Sequence, residues 1–110
     1  MSFEVRYTSH FSKAIKRLAK KYPSVRTDLS ALLRDIQADP MVGTPIGRSC
    51  YKIRMPIRSK GKGKSGGARV ITYVLIVNNL VVLLTVYDKS EKATLTDAER
   101  DHLIDLAERL

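Results

Sequence analysis

Basic side chains are concentrated in the middle of this 110-residue chain. Between Asp39 and Asp88 there is no acidic residue, whereas eight residues are basic: Arg48, Lys52, Arg54, Arg58, Lys60, Lys62, Lys64 and Arg69. Basic groups at fixed positions on strands, with tyrosine rings beside them, are typical of proteins that hold a phosphodiester and stack its bases. Together with a net charge of +9, the pattern predicts a polyanionic partner. The alternative is that the charge only keeps the protein soluble.

These residue types are suited to cleavage of RNA, in which the 2′-hydroxyl attacks the phosphate. That reaction needs a base for the hydroxyl, cations for the phosphorane charge and an acid for the leaving oxygen. Arg69 can supply charge but hardly protons, because guanidinium stays protonated near neutrality. A lysine crowded by other cations can act as a base, which points to Lys52 or Lys89. Tyr87 could relay a proton or orient the substrate.

Other catalytic sites fit the sequence poorly. His10 and His102 lie on predicted helices, away from the basic strands, so a histidine-pair nuclease is not favoured and His10 is expected to be solvated. The aspartates at positions 97, 101 and 105 form a row along one helix face, which cannot surround a metal ion. Gly63-Lys64-Ser65 resembles the end of a P-loop, but Arg58 stands where that motif needs glycine.

The elements that must position the basic residues follow from the hydrophobic periodicity. "SFEVRYT" alternates as a strand, and Ser9 offers an N-cap for the helix in "HFSKAIKRLAKKY". A second helical stripe runs from Val25 to Ile36, so the two helices should form a hairpin. A loop, "MVGTPIGRS", then precedes the strand "CYKIRMPI".

Two strongly apolar strands, "ARVITYVLIV" and "LVVLLTVYDK", flank Asn78-Asn79, and the capping box from Thr96 to Glu99 opens a last helix. The predicted fold class is α+β, in the order β-α-α-β-β-β-α. A small, twisted, mainly antiparallel sheet carries the N-terminal helical hairpin on one face, and a C-terminal helix completes a single domain over residues 1–110.

The pairing of the two apolar strands decides which side chains share a face. A two-residue turn makes paired residue numbers sum to 157, so that Arg69 faces Asp88. A longer or bulged turn makes them sum to 156, so that Arg69 faces Tyr87. The second register is favoured because it separates polar from apolar side chains. It predicts one concave basic face with six members: Lys52, Arg54, Arg69, Tyr73, Tyr87 and Lys89.

Composition limits the cellular setting. Cys50 is the only cysteine, so no internal disulfide can form, and it has no basic partner nearby beyond Lys52 that would make it a nucleophile. The chain does not start with the pattern of a secretory signal, and its longest apolar stretches are the length of strands. We therefore expect a cytoplasmic protein without membrane contact.

Three segments resemble the RelE/ParE toxin superfamily, and in particular HigB-like toxins of bacterial type II toxin–antitoxin systems. They are Y-K-I-R at 51–54, the Gly/Lys-rich insert leading into G-A-R-V-I at 67–71, and V-Y-x-K-x-E at 86–91. The resemblance spans nearly the whole chain, and the insert is a feature of the HigB-like branch. Where RelE has an arginine near the end of its last strand, this chain has Lys89. The tyrosine that follows in RelE has no clear match, because Tyr87 comes earlier.

The resemblance implies a ribosome-dependent mRNA endonuclease that needs no metal or other cofactor. It implies catalytic roles for Lys52, Arg54, Arg69 and Lys89, and a cognate antitoxin, HigA-like and with a DNA-binding element, as partner beside the ribosome and mRNA. A ParE-like inhibitor of DNA gyrase is the alternative, and a plain nucleic-acid-binding module is a third. The stretch "RSKGKGKSGGAR" is then either a flexible linker or a clamp on the RNA backbone, in which case the RNA-binding residues are Arg58, Lys60, Lys62, Lys64 and, on the strand face, Tyr73.

Overall fold

Five strands and three helices succeed one another in the computed structural model, which describes residues 3–60 and 67–109. The strands are β1 (Glu4–Tyr7), β2 (Thr44–Gly47), β3 (Cys50–Met55), β4 (Ala68–Leu75) and β5 (Leu80–Asp88). The helices are α1 (Ser9–Lys21), α2 (Val25–Ala38) and α3 (Asp97–Ala107). The five strands form one mixed sheet in the order β1-β5-β4-β3-β2, in which only β1 and β5 are parallel. The predicted α+β class and the mainly antiparallel sheet are confirmed.

The order of elements differs from the prediction by one strand. Residues 44–47, predicted as part of a loop, form β2 and pair with β3 at the edge of the sheet. Pro45 is compatible with this position because an edge strand can lack one donor. The return to β3 runs through positive φ angles at Gly47 (91°), Arg48 (55°) and Ser49 (64°). A tight turn of this kind carries no apolar alternation, which is why the periodicity of the sequence missed the strand.

Both predicted helix starts exist, and one is shifted by a residue. α1 is capped by Thr8, not Ser9: the Thr8 hydroxyl accepts a hydrogen bond from the Phe11 N–H at 3.0 Å and donates one to the Leu84 carbonyl at 3.0 Å. Thr8 is the N-cap instead of Ser9 because Thr8 is buried against β5, where its one hydroxyl forms hydrogen bonds with two backbone groups. α3 begins with the predicted capping box between Thr96 and Glu99.

The two faces of the sheet are covered by different helices. The α1–α2 hairpin packs on the first face through Phe11, Ile15 and Leu18 of α1 and Leu32 and Ile36 of α2. α3 packs on the second face through a smaller group, in which Leu103, Ile104 and Ala107 contact Cys50, Ile71, Tyr73, Val82 and Leu84. α3 is short and covers only part of the second face. The basic residues lie at the uncovered end of that face.

The register between β4 and β5 is the predicted one only near Arg69. From Ala68 to Ile71 the paired residue numbers sum to 156, and Arg69 faces Tyr87. The register then shifts, so that Thr72 pairs with Leu83 and Leu84 has no partner on β4. The turn is also longer than Asn78-Asn79, since a 3₁₀ turn at Ile76–Asn78 is followed by Asn79 in the left-handed region.

This β-bulge changes which side chains face the helical hairpin. The uniform register predicted one apolar face that included Val82 and Leu84. Instead Val81 and Leu83 pack with the hairpin, and Val82 and Leu84 pack beneath α3. Because side chains alternate along a strand, one extra residue exchanges the two faces on one side of the bulge.

Candidate active site

Three predicted site residues form a row across the uncovered end of the second face. Arg54 of β3 pairs with Arg69 of β4, and Arg69 pairs with Tyr87 of β5. Directly paired residues on neighbouring strands bring their Cβ atoms within about 5.5 Å of each other. Arg54 is exposed, whereas Arg69 is half-buried and donates a hydrogen bond to the Ala68 carbonyl at 3.2 Å. We call Arg54, Arg69 and Tyr87 the basic row.

Arg54 and Arg69 are like charges directly opposite each other on neighbouring strands, an arrangement that is unfavourable unless other groups offset it. Each guanidinium group presents several N–H donors in a planar fork, which is the arrangement that holds phosphate oxygens well. The geometry therefore favours a phosphate-sized ligand over an apolar or cationic one.

Lys52 and Lys89 lie on two sides of the row. Lys52 pairs with Ile71, two residues along the strands from the Arg54–Arg69 pair and nearer to α3. It is half-buried in a small crevice that is also lined by Thr96 and Asp97 at the start of that helix. Lys89 follows β5, where its backbone N–H donates to the Gly67 carbonyl at 3.3 Å, and it is exposed. Both lysines are thus close in register to the row.

Tyr87 presents an uncharged hydroxyl. Burial raises the pKa of Tyr87, while Arg69 and Lys92 lower it less, so the phenol keeps its proton at neutral pH. Its oxygen is buried and, within the described part of the chain, has no hydrogen-bond partner. A phenol of this kind is available to donate a hydrogen bond to a ligand.

Tyr73 is not part of this surface. It lies under α3 with 9% of its surface exposed, and its hydroxyl donates to Glu108 at 3.2 Å. Burial and then Glu108 raise the pKa of Tyr73. The predicted concave face had included Tyr73 because sequence alternation alone does not show where a later helix packs. With α3 in place, no base can stack on this ring.

Lys60 lies at the start of the Gly/Lys-rich insert, but its ammonium is turned into the protein. It forms an ion pair with Asp88 at 2.7 Å and lies 5.3 Å from the centre of the Tyr22 ring. Asp88 is buried and also accepts hydrogen bonds from Tyr22 and Ser90. Burial alone would raise the pKa of Asp88, but the bonds from Lys60, Ser90 and Tyr22 together hold it well below its usual range.

The other residues predicted to bind RNA are placed differently. Arg58 is exposed in the 3₁₀ turn Arg58–Lys60, and its backbone N–H donates to Asp28 at 3.3 Å. Lys62 and Lys64 lie outside the described residues. Arg58 therefore stands within the same part of the molecule as Arg54, with which it lines a cleft against α2.

The sequence pattern did not predict the surroundings of the two histidines. His10 is not simply solvated, because its Nε2 lies 3.0 Å from the Thr85 hydroxyl on β5. His10 and His102 line one cleft of about 300 Å³, whose wall includes Tyr87 of the basic row. The available signal was the spacing of His10, Ala14 and Arg17 along one edge of α1. Only the position of α3 shows that His102 lies across from them.

Asp97 and Asp101 of α3 form ion pairs with arginines, and no metal-ligand cluster is found around them in the part of the chain that the structure describes. Arg100 contacts Asp97 at 3.5 Å and Asp101 at 3.0 Å, and Arg48 contacts Asp101 at 3.0 Å. No three acidic, histidine or cysteine side chains come together as metal ligands in residues 3–60 and 67–109.

Cys50 is buried, and burial raises the pKa of its thiol to about 11, so the thiolate needed for attack is scarce at neutral pH. Across the same ranges, no helix has the length and apolar character of a membrane span.

Comparison with solved structures identifies the architecture. No protein-family model matches the chain. A mutant of the E. coli toxin RelE in the free state has a TM-score of 0.58 at 21% identity, covering 84% of this chain and 90% of that one. The isolated E. coli RelE toxin gives 0.59 at 18%, covering 94% and 97%. A chain of the toxin–antitoxin complex RelBE2 from Mycobacterium tuberculosis gives 0.60 at 18%, covering 80% and 92%. The chain therefore has the fold of the RelE toxins.

Proposed function

We propose that this protein is the toxin of a type II toxin–antitoxin pair and cleaves mRNA in the ribosomal A site. The observation that carries the proposal is the basic row, in which Arg54, Arg69 and Tyr87 are in register on three adjacent strands. The likeness to RelE supports it at the level of fold. The resemblance of the insert and of residues 86–91 to HigB-like toxins supports the same class.

In the proposed reaction the 2′-oxygen attacks the adjacent phosphorus and the 5′-oxygen of the next nucleotide leaves. Arg54 and Arg69 stabilise the negative charge that develops on the phosphorane oxygens. Tyr87, paired with Arg69 across the strands, orients the substrate beside these arginines. Lys52 and Lys89 are the candidates for the base that takes the 2′-proton and the acid that protonates the leaving oxygen, with both assignments open. No metal or cofactor is needed for these steps.

The proposed partners follow from the same class. RelE structures occur with an antitoxin, as in the intact E. coli RelBE complex and in the complex of a RelE mutant with an RelBc peptide. We expect a cognate antitoxin here that covers the basic row, with HigA-like character and a DNA-binding element. The substrate is mRNA and the ribosome is a further partner, which sets the site of action in the cytoplasm.

A ParE-like toxin that inhibits DNA gyrase is the second candidate. Nothing in the geometry favours it, because a protein that only binds another protein does not need two arginines facing each other beside a buried phenol. We retain it as the outcome to be excluded by experiment.

The deciding experiment is primer extension on a reporter mRNA with purified protein, with and without translating ribosomes. We expect cuts inside the reading frame only when ribosomes are present. Arg69→Ala should reduce cleavage by at least about a hundredfold, the usual cost of removing one group that stabilises a transition-state charge. Arg34→Ala changes an exposed arginine on α2 and is the matched control, with cleavage unchanged.

Three other results would contradict parts of the proposal. Intact mRNA under both conditions, together with gyrase-dependent DNA damage in cells, would move the protein to the ParE-like class. Cleavage without ribosomes would keep the nuclease but exclude the A-site substrate. Equal loss in Arg69→Ala and Arg34→Ala would separate the activity from the basic row. Circular dichroism of both variants checks that they are folded.

A further inference from the structure

A cleft opens beside the basic row because β1 is shorter than β5. β1 pairs with β5 only from Leu80 to Leu83, and Thr8 then directs the chain into α1, which runs alongside the second half of β5. α3 lies on the other side of the same half-strand. The gap between the two helices has a volume of about 300 Å³, and its polar lining includes His10, Arg17, Thr85, Tyr87, Lys92 and His102. We call this gap the α1–α3 cleft.

The charge of the α1–α3 cleft is positive. Its lining contains one acid, Glu99, which accepts hydrogen bonds from Lys92 at 2.6 Å and from the Thr96 N–H at 2.9 Å. The bonds from Lys92 and Thr96 lower the pKa of Glu99 to about 2, so Lys92 and Glu99 neutralise each other. Arg17 has no ion-pair or hydrogen-bond partner in the described ranges, and neither does His102. Arg17 thus adds to the cleft a positive charge that no acid among residues 3–60 and 67–109 pairs with.

A second, independent observation is the Tyr87 hydroxyl. Its oxygen is buried without a hydrogen-bond partner among residues 3–60 and 67–109. Lys92 lowers the pKa of this hydroxyl and Glu99 raises it, because both side chains lie near it in the cleft. Native structures leave few buried polar atoms unsatisfied, and such an atom marks a place where a ligand or water belongs. The ligand must accept a hydrogen bond, because the phenol keeps its proton.

The pKa of His10 depends on the charges in and around the cleft. Burial lowers its pKa, and Arg17, His102 and Lys13 lower it further by repulsion. The imidazole is therefore neutral at pH 7 in the free protein. An anion seated between Arg17 and the histidines would reverse the sign of the field and favour the protonated ring. Binding of an anion and uptake of a proton are then coupled.

We propose that the α1–α3 cleft binds a phosphate group, and specifically the phosphate that neighbours the scissile one on the same RNA strand. Tyr87 belongs both to the basic row and to the cleft, so a strand whose scissile phosphate lies on the row can continue directly into the cleft. The cleft is larger than one phosphate, which leaves room for part of the attached nucleotide. Identification with RNA rests on the proposed function, whereas binding of an oxyanion does not.

The experiment follows the side-chain NMR signals of His10 and His102 while inorganic phosphate is added, at low ionic strength and at several pH values. We expect saturable shifts of both histidine signals and an upward shift of the His10 titration midpoint. Arg17→Gln should weaken phosphate binding at least about tenfold, since a charge-assisted hydrogen bond contributes at least that factor to affinity. Lys20→Gln, an exposed lysine further along α1, is the control and should bind as the wild type does.

Shifts that do not saturate, or that persist unchanged in Arg17→Gln, would overturn the proposal and mark the phosphate as a diffuse counterion. The RNA assignment has its own test, which is a titration with a 2′-O-methyl trinucleotide that cannot be cleaved. If the trinucleotide moves the same histidine signals and competes with phosphate, the strand enters the cleft. If phosphate binds and the trinucleotide does not compete, the RNA part of the proposal is wrong. Neither readout requires ribosomes or cleavage, so a failure of the proposed nuclease activity is distinguishable.

Discussion

Asp88 links the end of β5 to the start of the Gly/Lys-rich insert. Its carboxylate is fully buried and engages Lys60, Ser90 and Tyr22, and the Lys60 side chain is itself only 17% exposed. A buried ion pair adds little compared with an apolar pair, but removal of one partner leaves the other charge desolvated. Asp88 directly precedes Lys89 and pairs with Ala68, so the cluster also supports the end of the basic row.

We therefore expect Asp88→Asn to lower the free energy of unfolding by about 3 kcal/mol at pH 7. The sign of the pH dependence follows from the lowered pKa of Asp88. The stabilisation is present above the unfolded-state pKa, which is about 3.9, and is lost as the pH falls below it toward the folded-state value. Urea unfolding at pH 7 and at pH 3 should show a smaller difference between variant and wild type at pH 3.

The control for this measurement is Glu91→Gln. Glu91 forms an exposed ion pair with Lys21 at 3.2 Å, and solvent screens such a pair. We expect no measurable change in unfolding. A loss in Asp88→Asn no larger than that in Glu91→Gln would mean that the buried cluster contributes nothing to stability.

At the scale of elements, α3 decides how much of the second face remains open. It covers Cys50 and Tyr73, and Arg100 ties it to β2 through a hydrogen bond to the Ile46 carbonyl at 2.6 Å. Its capping box ends beside the Lys92–Glu99 ion pair that lines the α1–α3 cleft. The start of α3 therefore serves both the packing of the helix and the shape of the cleft.

Thr96→Ala should lower the free energy of unfolding by about 1 kcal/mol, the usual cost of losing a side-chain N-cap. The reason is that the Glu99 N–H loses its bond to the Thr96 hydroxyl, which is 3.1 Å long. Thermal unfolding compared with Thr94→Ala measures the effect, because Thr94 is an exposed threonine two residues earlier. Equal melting temperatures for the two variants would exclude a contribution of the cap.

At the scale of the whole molecule, the two signs of charge are segregated. Seven of the eleven acids lie from Asp88 onward, and three of those on α3, namely Asp97, Glu99 and Asp101, form ion pairs with Arg48, Arg100 or Lys92. The Arg48–Asp101 pair links α3 to the turn between β2 and β3, whereas β3 and β4 contain no acidic residue. A surface of this kind steers a polyanion toward one end of the sheet.

Binding of a 2′-O-methyl oligoribonucleotide should consequently weaken with salt, with the logarithm of affinity falling linearly with the logarithm of salt concentration. Each phosphate contact that a variant loses should reduce the slope by about 0.7 for a single strand. We expect that reduction for Arg69→Gln and none for Arg34→Gln, measured by fluorescence anisotropy. The same slope in all three proteins would show that binding does not involve the basic row.

The sequence by itself determined the elements whose signals are local. The helical stripes of α1 and α2, the capping box of α3 and the alternation of β3 depend on residues a few positions apart, so periodicity was sufficient to predict them. The separation of polar from apolar side chains was also enough to predict that Arg69 faces Tyr87, because that pairing collects the polar side chains near this end of β4 and β5 on one face.

Only the tertiary structure decided the features that depend on distant residues. The bulge at Leu84, the burial of Tyr73 under α3, the ion pair of Lys60 with Asp88 and the meeting of His10 with His102 each join segments separated by many positions. Nothing in the local pattern distinguishes a tyrosine that will face a substrate from one that a later helix will cover. The strand alternation places side chains on a face of the sheet, and the packing of the helices decides which part of that face stays open.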